Sequence, residues 1–305
     1  MISDFIEELR QKEIQVSFSA GKLNYCGPED QLTSEVIEKL KKHKGKLLKY
    51  FWPQELAYLM PINTEGNKTP LFIVHGDKSN YIISDHLGPD QPVYGFFHPG
   101  SEGEAIRFKS VKEMAEAYLK MLLTICPTGP YYLIGYSFGG ILAFEMAIQL
   151  QKSGYKVPFL VMIDTISPLA REPIQWQNNF FKSIRLNILR PFRRKLKQSI
   201  KLLICNSYIL MNRPIPVEPR KFYMYQKYLA LAGRYSPEKF VGDILLFRTT
   251  ETPSSYKYLG WETLVDNIRM FEIDGKHLQI FMGKNRTEIL QKEIEKYLTY
   301  VNGLK

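Results

Sequence analysis

The spacing of apolar positions changes character several times along the chain. Ile2, Phe5, Ile6 and Leu9 recur at i, i+3, i+4 and i+7, one face of a helix. From Ile14 to Ser19 the alternation has period two. Gly21 follows as a turn, and Lys22 to Cys26 alternates again, which predicts a β-hairpin. Thr33 then stands as a helix cap with Glu35 in the first turn. Val36, Ile37, Leu40, Leu47, Leu48 and Phe51 supply the apolar face of that helix, which Gly45 is expected to divide in two. Residues 1–52 thus read as a small α+β unit of the order helix, hairpin, helix, helix. Residues 53–69 hold Pro53, Pro61, Gly66 and the polar run from Asn63 to Thr69, and read as a linker.

From residue 70 the pattern is different. Short apolar runs begin at Leu71, Val93, Tyr131, Val157 and Ile244, and a further strand is expected at Ile268-Arg-Met-Phe-Glu-Ile. Each is bounded by turn residues, as strands buried on both faces require. Helical spacing lies between them. One helix is capped by Ser110 and runs through Met114, Tyr118, Met121 and Leu122, and a last one covers roughly 286–300. Strands alternating with helices over 70–305 predict a mostly parallel sheet covered on both sides.

The candidate chemistry sits at one junction of that pattern. Gly135-Tyr136-Ser137-Phe138-Gly139 joins an apolar strand to an apolar helix. A G-x-S-x-G turn in this context lifts a serine hydroxyl above the sheet edge, and the expected fold is an α/β-hydrolase. The backbone N–H of Phe138 at the helix start can face a developing oxyanion, and a second donor is expected near Gly76 or Asp77. In this fold the order is nucleophile, acid, histidine. Of His43, His75, His86, His98 and His277, only His277 follows Ser137. Two acids end strands where they can orient an imidazole, Asp164 and Glu251.

Composition narrows the setting. The chain has 305 residues, 45% hydrophobic and 24% charged, the balance of a globular protein. No apolar run approaches the ~20 residues of a bilayer span, and the acidic start is unlike a secretory signal. Cys26, Cys126 and Cys205 have no metal-ligand spacing. The expectation is a cytoplasmic, reduced, monomeric protein without a metal. The net charge of +10 is concentrated: residues 171–222 carry twelve Lys/Arg and two acids, so the remainder sums to zero. There Phe180, Ile184, Ile188, Phe192, Leu196, Ile200 and Ile204 recur every four residues with basic residues between them, among them Arg185, Arg190, Arg193 and Arg194. This predicts one or two amphipathic helices, broken at Pro191. Such a helix also fits a membrane surface, a second option. No nucleic-acid motif accompanies the charge.

Two family resemblances add to this reading. Residues 1–52 resemble the TubC-type docking domains of nonribosomal peptide synthetases and polyketide hybrids. The likeness runs through Leu9-Arg-Gln-Lys-Glu-Ile-Gln-Val, Gly21-Lys-Leu-Asn-Tyr and the helices from Thr33 to Leu48. It implies that the hairpin residues Val16, Phe18, Lys22, Leu23 and Tyr25 hold the C-terminal tail of an upstream synthetase subunit. Residues 70–300 resemble the thioesterase domains of the same assembly lines. The likeness runs through Pro70-Leu-Phe-Ile-Val-His-Gly, Gly129-Pro-Tyr-Tyr-Leu-Ile-Gly-Tyr-Ser-Phe-Gly-Gly, Leu160-Val-Met-Ile-Asp-Thr and Asp274-Gly-Lys-His. In that family the acid follows the strand after the nucleophile helix, which selects Asp164, 27 residues after Ser137. The family also implies a helical lid, here over about 166–238, whose basic face would meet a carrier protein. The short charged loop after His75-Gly76 departs from the family's longer glycine-bearing loop. The resemblance thus implies chain release from a carrier-protein thioester through a Ser137 acyl-enzyme, ending in hydrolysis or cyclisation. The substrate would arrive in trans on the phosphopantetheine of a partner, with no cofactor held by this chain. An esterase or lipase, and a non-catalytic docking adaptor, are the alternatives.

Overall fold

The computed structural model describes residues 2–19, 22–51, 56–76, 78–170, 189–252 and 256–303. The first unit contains α1 (Ile2–Gln11), the antiparallel pair β1 (Gln15–Ser19) and β2 (Lys22–Cys26), and α2 (Ser34–Phe51). Its core is Phe5, Ile6, Leu9, Ile14, Val36, Leu40 and Leu47. The Thr33 hydroxyl accepts from Val36 N–H at 3.4 Å, the expected cap. The expected division at Gly45 is absent, since α2 is continuous. One interior glycine costs a helix about 1 kcal/mol. Burying Leu40 and Leu47 on either side contributes about 1.5–3 kcal/mol each, so packing overrides the local preference.

The second unit is built on a seven-stranded sheet of order β3-β5-β4-β6-β7-β8-β9. The strands are β3 (Leu59–Asn63), β4 (Leu71–Val74), β5 (Val93–Phe96), β6 (Tyr132–Tyr136), β7 (Phe159–Ile163), β8 (Asp243–Thr249) and β9 (Asn267–Ile273). All pairs are parallel except β3 with β5. Strand β3 corrects the expectation of a linker over 53–69. Leu59 is fully buried and Met60 lies opposite Gly95 in the ladder. Pro61 marks the segment as unstructured only if the edge is forgotten, because an edge strand tolerates a missing N–H.

Side chains alternate across the strands into two cores. Phe72, Val74, Leu133, Leu160, Met162 and Leu246 face α4 (Val111–Ile125) and α5 (Phe138–Lys152). Leu71, Ile73, Tyr132, Ile134, Val161 and Phe247 belong to the core that also holds residues of α3 (Lys78–Leu87) and α8 (Lys284–Gly303). Ser110 caps α4, its hydroxyl accepting from Glu113 N–H at 3.1 Å.

Between β7 and β8 lie α6 (Leu189–Leu210) and α7 (Val217–Gly233). Arg185 and the first part of the expected amphipathic stripe, Phe180 to Ile188, lie outside the described residues. No break shows at Pro191 among the described residues, since α6 runs through it from Leu189. Arg190, Arg193 and Arg194 lie on the same first turns. Further along, Ile200, Leu203 and Ile204 are 46%, 67% and 41% exposed while Cys205 is buried, so the described part of the stripe points away from the core.

Candidate active site

The strand register brings the predicted residues together. Ser137 directly follows β6, and its N–H donates to Ile163 O at the end of β7. Asp164 directly follows β7, and its N–H donates to Phe247 O in β8. Thr249 ends β8, and His277 opens a short 3-10 turn (His277–Gln279) after β9. Four neighbouring parallel strands therefore deliver four side chains to one edge of the sheet.

The turn at Ser137 explains its glycines. A β-carbon on Gly135 would stand 2.3 Å from Gly139 O, and one on Gly139 would stand 2.2 Å from Val74 O. Ser137 itself has φ 55° and ψ −121°, a conformation L-residues rarely adopt. His75 and Asp164, ending β4 and β7, also have positive φ, at 56° and 46°. Half of the six described non-glycine residues with positive φ thus cluster at this edge. Such strain costs about 1–3 kcal/mol per residue and persists because the sheet beneath is fully packed.

His277 Nε2 lies 2.9 Å from Ser137 Oγ, and His277 Nδ1 lies 2.7 Å from Asp164 Oδ2. Asp164 is buried, while the His277 side chain keeps 11% exposure. Burial pushes the Asp164 carboxyl upward, but the hydrogen bond and charge of His277, then the Thr249 amide and Thr252 hydroxyl, hold it below its usual range. It is an acceptor, so the imidazole carries its proton on Nδ1 and turns the Nε2 lone pair to the serine. The alternative acid is elsewhere: Glu251 is exposed and lies 3.8 Å from Lys276 Nζ.

Several residues of the site carry no sequence signal. Tyr136 stacks on the His277 ring at 5.0 Å and donates its hydroxyl to His277 O at 2.8 Å. It occupies the free position of the G-x-S-x-G turn, which a pattern does not read. Thr249 and Thr252 both reach Asp164. Arg286 donates to Asp274 O and, at 3.1 Å, to Met282 O, and so braces the loop that carries His277.

The loop after β4 is beside the serine. Its His75 ring stacks against Phe138 at 5.8 Å. The buried Tyr118 hydroxyl donates to Phe97 O, so it accepts from His75 Nε2–H at 2.8 Å. Burial, then the neighbouring His98, holds the His75 imidazole well below its usual range, so it is neutral. His75 is thus a packing and hydrogen-bonding element rather than a base. Gly76 follows it against Asn80, and Asp77 lies outside the described residues. Phe138 opens α5, whose N-terminal amide direction faces the serine turn.

Comparison with known proteins bears on both units of the chain. Residues 81–180 match the thioesterase domain family, and residues 2–52 match the TubC N-terminal docking domain family. The chain carries a thioesterase domain behind a TubC-type docking domain. Its relatives include malpibaldin synthetase of Mortierella alpina, 30% identical over 260 residues and 78% of this chain. The dimodular nonribosomal peptide synthase of Bacillus subtilis (strain 168) is 29% identical over 239 residues and 73% of this chain. This chain spans only 4% and 10% of those two proteins. Among solved structures, the thioesterase domain of NocB from the nocardicin cluster has a TM-score of 0.57 at 23% identity, covering 80% of this chain and 99% of that one. The four-domain nonribosomal peptide synthetase AB3403 has a TM-score of 0.58 at 25% identity, covering 79% of this chain and 20% of that one. Among the described residues, no helix of the thioesterase domain or the docking domain is long and apolar enough to cross a membrane.

In the docking domain, β1 and β2 form a sheet of two strands, with Phe18 opposite Leu23 and Ser19 opposite Lys22. Val16 and Leu23 pack against the small core, while Tyr25 is 42% exposed. A groove of about 410 Å³ runs beside β2, lined by Leu23, Tyr25, Leu40, Lys41, Lys44 and Glu65.

Proposed function

We propose that this protein releases an acyl or peptidyl chain from the carrier-protein thioester of a nonribosomal peptide or polyketide assembly line, and that the carrier is supplied in trans. The observation that carries this reading is the hydrogen-bonded series Ser137, His277 and Asp164, at 2.9 and 2.7 Å, on the sheet edge of a thioesterase domain. Ser137 Oγ attacks the thioester carbonyl as its proton passes to His277 Nε2. Asp164 holds the imidazole in the right tautomer and stabilises the imidazolium. The Phe138 amide and an amide of the loop at Gly76 or Asp77 receive the oxyanion. The C–S bond then breaks, His277 returns the proton to the departing phosphopantetheine thiol, and an acyl-Ser137 ester remains. Water, or an amine or hydroxyl of the chain itself, gives a proton to His277 and attacks that ester. The Oγ–C bond breaks, His277 passes that proton to Ser137 Oγ, and the free serine is restored with hydrolysis or cyclisation as the outcome.

The docking domain supplies the delivery. An open strand edge accepts an extended peptide by backbone pairing, and the groove beside β2 offers Lys41 to an acidic tail, next to Lys44, which is paired with Glu65. A tethered carrier then has an effective concentration set by its linker, of the order of millimolar for a short flexible one. The basic segment with Arg185, Arg190, Arg193 and Arg194 suits an acidic carrier protein and the phosphate of its arm.

The test is intact-protein mass spectrometry of the wild type and of Ser137→Ala mixed with loaded carrier protein. The expected result is an acyl adduct on the wild type only. A wild type that never acquires the adduct, or an adduct that persists in Ser137→Ala, refutes the reading. Turnover of free esters with no response to carrier protein favours the esterase alternative.

A further inference from the structure

We infer that Thr249 and Thr252 are positioning residues that hold the Asp164 carboxylate from the side opposite His277, and through it set the pH range in which the triad turns over. The inference rests on the reading of Ser137, His277 and Asp164 as a catalytic triad. The carboxylate is enclosed. Oδ1 accepts from Thr249 N–H at 2.9 Å and lies 2.8 Å from Thr252 Oγ1. Oδ2 lies 3.0 Å from Thr249 Oγ1, 2.7 Å from Thr252 Oγ1 and 2.7 Å from His277 Nδ1. The two hydroxyls lie 2.6 Å from each other. All three side chains are buried, at 2%, 0% and 3% exposure for Asp164, Thr249 and Thr252.

The arrangement follows from the strand end. β8 stops at Thr249, and the next three residues turn so that Thr249 and Thr252 point inward while Glu251 points out to Lys276. The end of β8 therefore presents hydroxyl donors to an acid that belongs to β7. One hydroxyl proton bridges the two threonine oxygens, so the other hydroxyl proton, one amide and one imidazole N–H serve the two carboxylate oxygens. No rotation of the carboxylate keeps all of them, so its direction toward His277 is fixed.

A donor to Asp164 also competes with His277. Each hydrogen bond withdraws charge from the carboxylate, which weakens its hold on the imidazolium formed in the reaction. Loss of a hydroxyl leaves more charge for the imidazolium, so the acidic limb of the pH–rate profile moves up. It also lets the carboxylate turn, so Nε2 is aimed less well at Ser137. The other groups facing the pair stay the same in either case. These are Ser137 and the Tyr136 ring from β6, while the Lys276–Glu251 and Asp274–Arg286 pairs lie further out, at the exposed rim of the His277 loop.

The experiment compares Thr252→Val, which keeps shape and removes the donor, with Thr252→Ser, which keeps the donor. The substrate is an acyl thioester of N-acetylcysteamine, and the readouts are kcat, KM and the pH profile of kcat/KM. For Thr252→Val the expectation is a kcat loss of about tenfold, the scale of one buried hydrogen bond. KM stays unchanged and the acidic limb moves up. Thr252→Ser stays within about twofold of the wild type. A Val variant with unchanged kcat and limb, or a Ser variant no better than Val, overturns the inference. If Thr252→Val does not fold, Thr252→Ala replaces it with the same expectations. Fluorophosphonate labelling of Ser137 in the wild type separates the two readings. No labelling means the triad itself is wrong, whereas labelling with indifferent variants removes only the role of the threonines.

Discussion

Gly139→Ala places a methyl carbon 2.2 Å from Val74 O and 2.8 Å from His75 Cβ. Carbon–oxygen contacts settle near 3.3 Å, so the two backbones must separate by roughly 1 Å. Val74 is fully buried in β4, between β5 and β6, and its carbonyl cannot swing aside. The start of α5 must yield instead, taking Ser137 Oγ and the Phe138 amide with it. Overpacking of this kind costs about 1–3 kcal/mol. For a domain of this size that lowers the melting temperature by about 2–4 °C per kcal/mol. The catalytic effect is larger, because a misplacement of about 1 Å removes roughly 10²-fold in rate. The assay is thermal unfolding together with steady-state thioesterase kinetics on the purified variant. Gly233→Ala is the matched control. Nothing lies within 4 Å of its added carbon at the end of α7, and it should stabilise by about 0.5 kcal/mol without changing kcat. A Gly139→Ala enzyme with wild-type melting and a rate within twofold refutes the close-approach argument.

Three further outcomes are expected. Asp164→Asn preserves shape but presents the wrong partner to His277 Nδ1, and kcat should fall by about 10³–10⁴; a drop below tenfold in steady-state turnover would return the acid's role to Glu251. Tyr136→Phe removes the 2.8 Å bond to His277 O but keeps the stacked ring, and should lower kcat several-fold, by about 1 kcal/mol, with KM unchanged. Glu238 is held down to about 2 by hydrogen bonds from Lys152 and Lys112. A depressed acid stabilises the fold above its unfolded value and loses that contribution as pH falls through its folded one. Carbon-detected NMR titration should therefore find Glu238 titrating far below 4.5 in the wild type and near it in a Lys112→Met, Lys152→Met double variant.

The central parallel strands were legible because burial on both faces leaves apolar runs, whereas the edge strand β9, largely exposed, keeps Arg269 and Glu272 in its pattern. The turn that carries Ser137 was legible because two backbones approach so closely that only glycine fits at 135 and 139. His277 followed from chain order alone. What the sequence hid has equally physical causes. An edge strand such as β3 is half exposed and tolerates proline, so it imitates a linker. Gly45 looks like a break because propensity is local, while the burial of Leu40 and Leu47 is not. Loop contacts such as Arg286 to Asp274 O depend on backbone positions that no pattern encodes.

The acid shows most clearly where such reading stops. In Thr249-Thr250-Glu251-Thr252 the charged residue draws attention, and a strand end beside the nucleophile is a proper place for it. Yet a side chain's direction at a strand end is set by the final turn, and that turn sends Glu251 outward. Asp164 is placed by the strained backbone that follows β7, at φ 46°, and the threonines complete its surroundings. The neighbouring strand end is thus part of the acid's site without providing the acid. Two carboxylates there would repel within a buried space and raise each other's proton affinity, so the inward threonines and outward Glu251 are a condition for Asp164 to stay ionised beside His277.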